Sequence, residues 1–103
     1  MKTLNMLFIP DREPPTLTCP ENIAHGTFGD SATVSWPPAL ASDNLGLRTF
    51  APVLYSHASG SVFPSTLPDA DARPVDITVR AYDTFNNEAV CQFQVTVLML
   101  TGE

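Results

Sequence analysis

Two cysteines, Cys19 and Cys91, stand near opposite ends of a 103-residue chain, and the chemistry open to them is narrow. They are too far apart for a C-x-x-C redox pair, and a structural zinc site needs more ligands in close pairs. Two readings remain: buried thiols in an intracellular domain, or a disulfide in a secreted one. The disulfide is favoured, because closing that loop would stabilise so short a chain by about 4 kcal/mol.

Other side chains offer acid–base or metal chemistry. His25, His57, several serines and Asp43 supply the residue types of a Ser-His-Asp set. No G-x-S-x-G elbow is present to hold a serine exposed on a strained turn, and a triad needs geometry as well as residue types. No enzymatic activity is expected. Calcium is the stronger contest, since it takes about six to eight oxygen ligands from loops. Asp43 and Asn44 form one oxygen-rich cluster, and Asp83, Asn86, Asn87 and Glu88 form another. Asp and Asn also cap turns through their own backbone, and no EF-hand spacing is present. Turn capping is therefore preferred, and no cofactor is expected.

For binding, Phe85 stands out. It lies in a polar run, Asp83 to Glu88, where an aromatic ring gains nothing from water and where aromatic anchors of interfaces are found. The competing expectation is that Phe85 folds back onto the end of its own domain or onto a neighbour.

The elements that must position these residues read as strands. No stretch of roughly a dozen residues keeps an apolar period of about 3.6, and ten prolines interrupt the chain. Val75, Ile77, Val79 and Ala81 share one face of a segment, and Ala89, Cys91, Phe93, Val95, Val97 and Met99 share one face of the next. Residues 83–88 join the two as a hairpin. Ala32, Val34 and Trp36 alternate in the same way and are expected in the core, the indole near the cysteines. Shorter strands are expected at Thr16–Cys19, Ile23–Thr27, Leu47–Ser56 and Val62–Phe63, with Pro52 marking an edge or bulge. Ser42–Gly46 reads as a turn with Asn44 or Gly46 at positive φ, and Ser65–Arg73 as a solvated loop. About seven short antiparallel strands between proline and glycine turns argue for an all-β two-sheet sandwich.

Charge narrows the partners. Five basic against eleven acidic residues give a net charge of −6, and the basic ones are scattered singly. Nucleic acids and anionic membrane surfaces would be repelled. No apolar run is long enough to span a bilayer. Residues 1–10 read as an edge strand or linker, too short in their apolar part and lacking a small-residue cleavage site for a signal peptide. No N-x-S/T sequon occurs.

The order of these pieces resembles a known family. Asp11-x-x-Pro14-Pro15-x-Leu17-x-Cys19-Pro20-x-Asn22-Ile23 is followed by Val34-x-Trp36 and Ala41-x-Asp43-Asn44-x-Gly46. Then come Ser56-His57-x-x-Gly60-x-x-Phe63-Pro64 and Ala81-x-Asp83-x-x-Asn86-Asn87-x-Ala89-x-Cys91-x-Phe93-x-Val95-x-Val97. Together they resemble the HYR (hyalin repeat) domain, an immunoglobulin-like, fibronectin type III-like module of extracellular and cell-surface proteins. The resemblance implies a domain over residues 11–98, with 99–103 as a tail, in a larger secreted or cell-surface protein. It implies an adhesive or matrix module that meets extracellular proteins and neighbouring domains, or a spacer between them, and gives His57 a structural role in a turn. Asn86-Asn87 departs from the family's Gly-Asn, and Ser65–Arg73 is longer and more acidic than expected. Leu98, Met99 and Leu100 are expected to pair with the start of the chain or to pack on a neighbour.

Overall fold

A computed structural model describes residues 13–67 and 73–100 of the protein. The described chain is all-β, with strands β1 (Thr16–Thr18), β2 (Ile23–Thr27), β3 (Ser31–Val34), β4 (Leu40–Ser42), β5 (Val53–Tyr55), β6 (Ser61–Pro64), β7 (Val75–Tyr82) and β8 (Glu88–Met99). Residues 1–10, expected to be a linker or edge strand, lie outside the described residues, as does most of the loop expected at Ser65–Arg73.

β7 and β8 form the long hairpin that period-two alternation predicts, with Ile77 opposite Phe93 and Val79 opposite Cys91. They sit at the centre of a four-stranded sheet ordered β2-β8-β7-β5. Ile77, Val79, Ala81, Phe93, Val95 and Val97 turn inward and are buried. The pair β3-β6 covers them with Val34 and Phe63, while β1 pairs with β4 beside it. Trp36 closes the core, its ring edge-on to Phe93 at 5.2 Å and tilted against Phe63 at 6.1 Å. Such aromatic geometry adds about 0.5–1.5 kcal/mol to area burial. The immunoglobulin-like sandwich is thus present.

Several details differ from the expectation. Eight strands are present, and β2 pairs with β8 in parallel, Ile23 opposite Val95. A parallel pair needs a long crossover, which the intervening chain supplies. Residues 47–56 do not form one strand. Val53–Tyr55 forms a strand on the sheet edge and Leu47 makes an isolated bridge to Asp83, and between them Ala51 takes a left-handed φ of 49° just before Pro52. Thr66 is not in open loop: its N–H donates to Val97 O and its carbonyl accepts from Met99 N, both at 2.8 Å. Leu98 and Met99 pair with Gly26 and Thr27 of β2 rather than with the start of the chain.

Cys19 and Cys91 are disulfide-bonded with their Cα atoms 5.9 Å apart. The bond ties the segment after β1 to β8 and so joins the two layers. Its 72-residue separation leads the chain-entropy relation to about 4 kcal/mol of stabilisation. Replacing both cysteines with alanine should lower the unfolding free energy by about that amount in a urea titration, or leave the chain unfolded at 37 °C.

Candidate interaction pole

Asp83, at the end of β7, is wholly buried and organises the hairpin loop from inside. Its Oδ1 accepts hydrogen bonds from the backbone N–H groups of Phe85 and Asn87, both at 2.8 Å, and its Oδ2 from Asn87 Nδ2 at 2.8 Å. A buried carboxylate is tolerable when its lone pairs are filled in this way. Asn86 donates its N–H to Asp83 O at 3.0 Å and adopts φ 65°. Asparagine enters this left-handed region more readily than other non-glycine residues, which is how it can stand where the family has glycine. Phe85 is held on this pinned turn with 51% of its surface exposed.

A second loop is joined to the first. Asp43 Oδ2 accepts from Leu45 N at 3.0 Å, and Gly46, at φ 101°, donates to Asp43 O. Thr84 N donates to Gly46 O at 3.2 Å, and Leu47 bridges Asp83. Arg48 N donates to Tyr82 O and Tyr82 N to Pro52 O, fastening the next turn to β7. Within that turn Arg48 Nε donates to Ala51 O at 3.0 Å, and Phe50 projects with 86% exposure. Leu45 is also exposed. Leu45, Phe50 and Phe85 therefore share one pole of the sandwich, on loops linked by backbone hydrogen bonds.

The adjoining sheet face is a chain of charge contacts. The Arg48 guanidinium lies 4.1 Å from the centroid of the Tyr82 ring. The Tyr82 hydroxyl donates to Glu88 Oε2 at 2.7 Å, and Arg80 pairs with the same oxygen at 3.2 Å. The Tyr82 hydroxyl, helped by Arg80, holds the Glu88 carboxyl below its ordinary value against an opposing effect of desolvation. The same hydrogen bond, with desolvation, raises the Tyr82 phenol.

The sequence-selected residues fall as follows. His57 Nδ1 lies 2.8 Å from Ser56 Oγ, but that oxygen also accepts from Thr78 N, and the imidazole leans on Phe63 at 5.9 Å. His25 lies on β2 opposite Val97, and no hydrogen bond joins Asp43 to either histidine. The oxygen-rich residues split: the Asp83 carboxylate is filled by its own loop, Glu88 faces the outer sheet surface, and Asp43 Oδ1 is buried without a partner among the described residues. Among those residues no three His, Cys, Asp or Glu side chains gather for a metal ion. Leu45 and Phe50 were not legible as site residues. The available signal was Pro52, which breaks the strand that would have placed Phe50 on a sheet face.

Fold and disulfide together define an immunoglobulin-like β-sandwich module. A family model for the HYR domain matches residues 10–97, and the chain belongs to that family, a family of non-enzymatic modules. The chain is 33% identical over 90 residues to the rat (Rattus norvegicus) "Sushi, von Willebrand factor type A, EGF and pentraxin domain-containing protein 1". That match covers 85% of this chain and 2% of the relative, so the chain spans a small fraction of that multidomain protein. No solved structure matches it.

Removing the Asp83 carboxylate strands two backbone donors, so Asp83→Ala should cost about 3 kcal/mol in chemical denaturation. Glu88 should titrate below an ordinary glutamate when followed by NMR, and Tyr82→Phe should move it upward. Because its folded value is depressed, its stabilising contribution is present above the unfolded value and is lost as pH falls through the folded one. An upward move is the outcome that ties the depression to the phenol.

Proposed function

We propose that this chain is an extracellular protein–protein interaction module of a multidomain cell-adhesion or matrix protein, and that it makes contact through the pole bearing Leu45, Phe50 and Phe85. One observation carries the reading. Ala51 and Asn86 are the non-glycine residues with left-handed backbone among those described, and each directly follows an exposed phenylalanine. Left-handed backbone costs a non-glycine residue roughly 1–2 kcal/mol, least for asparagine, and such outliers gather at sites that bind. Strain that holds two aromatic rings in water lowers stability; a partner that buries those rings gives the arrangement a use. The disulfide and the multidomain relative support the extracellular setting.

A spacer reading gives the same rings to an adjoining domain of one polypeptide. Its support is the path of the chain: Thr16 pairs with Ser42, next to the Asp43 turn, so the chain enters the sandwich at this pole. The two readings part in a binding screen of the folded, oxidised protein against extracellular proteins. A partner should lose about 1 kcal/mol or more of affinity with Phe85→Ala and similarly with Phe50→Ala. If no partner appears for a protein shown to be folded, the spacer reading stands instead.

A further inference from the structure

A second surface lies on the flank, away from the loop pole. Trp36, Pro38, Tyr55 and Ser59 line a recess of about 250 Å³. It meets, at Pro38, a wider recess of about 430 Å³ lined in part by Pro20, Glu21, Pro37 and Leu40. The floor is fixed from below. Ser59 Oγ accepts from Trp36 N at 2.9 Å and donates to Trp36 O, and the Tyr55 hydroxyl accepts from Ala39 N at 2.9 Å. The disulfide at Cys19 borders the wider recess.

The indole carries the second observation. Trp36 is 93% buried, being 7% exposed, and its ring N–H donates to no described residue. Its ring borders the recess. Charge points the same way. Glu21 is the charged residue lining the two recesses, no Lys or Arg lines either, and the chain carries −6.

We infer that this trough binds an extended, proline-containing segment of a partner protein with a lysine or arginine beside its prolines. Proline rings stack on aromatic and proline walls with little ordering cost, because such segments are already extended before they bind. The Trp36 ring supplies the aromatic wall together with Tyr55. Glu21, past Pro38, is placed to meet the basic side chain and sets the direction of the segment. Leu40, 71% exposed, supplies the apolar rim. The surface is distinct from the pole of Phe50 and Phe85, so either can fail alone.

Trp36 is the one tryptophan in the chain, which makes its emission a reporter inside the proposed site. The oxidised 103-residue protein is titrated with a peptide of alternating proline and leucine ending in arginine. A saturable change in emission is expected. Exchanging the peptide's prolines for alanine should abolish it, and Glu21→Lys should weaken it about fivefold while favouring an aspartate-ended peptide. Leu40→Ser should weaken binding to both peptides. Both variants lie on the exposed surface, and their melting temperatures check that the fold is kept, so Trp36 itself need not be changed. No titration at millimolar peptide overturns the inference. So does equal binding of the proline-free peptide, or binding that neither variant alters.

Discussion

The inner face of β8 is the constraint on which the rest of the molecule depends. Phe93, Val95 and Val97 alternate along it and must leave water together, since a one-residue slip of register would turn all of them outward. Much of the rest of the fold meets this strand or its hairpin partner. β7 pairs along eight positions, β2 adds in parallel, and Trp36 lays its ring against Phe93. Cys91, on the same strand, is covalently held to Cys19. The disulfide and the aromatic contact therefore both hold the inner face of β8, which is how a chain with a modest core stays ordered.

From that frame the loops follow. β7 ends where Asp83 can still be buried, and burial is possible because the turn after it offers Asp83 the donors of Phe85 and Asn87. The filled carboxylate then anchors the neighbouring turn through the Leu47 bridge and the Thr84–Gly46 hydrogen bond. A buried acidic residue thus makes two separate loops behave as one platform. Leu45, Phe50 and Phe85 on these loops face solvent. An HYR module built in this way presents rigid aromatic groups, and rigidity is what limits the entropy lost on contact.

The flank is held differently. Pro37 and Pro38, which cannot donate to a ladder, follow Trp36 beyond the end of β3, and the core residue that closes the sandwich also forms a wall of the trough. The same stretch of chain serves packing on one side and lines the trough on the other. The pole and the flank are therefore consequences of how one sandwich ends and where one of its connections is interrupted.

What the sequence determined is what period-two alternation and residue count can encode. The faces of β7 and β8, the burial of Val34 and Trp36, the pairing of the only two cysteines and the Asp83–Glu88 hairpin were legible, because each depends on neighbours along the chain. The HYR resemblance rested on the same local motifs. What tertiary structure decided is what depends on partners far away in sequence. The three-residue strand β4 exists because β1 lies beside it, and no local pattern announces so short an element. The parallel joining of β2 to β8, the arrest of the 47–56 strand at Ala51 and the capture of Thr66 by β8 are likewise choices among edges, made by whichever backbone groups remain unpaired. Phe85 was visible as an aromatic in a polar run. Its alignment with Leu45 and Phe50 was not, because nothing in the sequence says that Gly46 and Thr84 will meet.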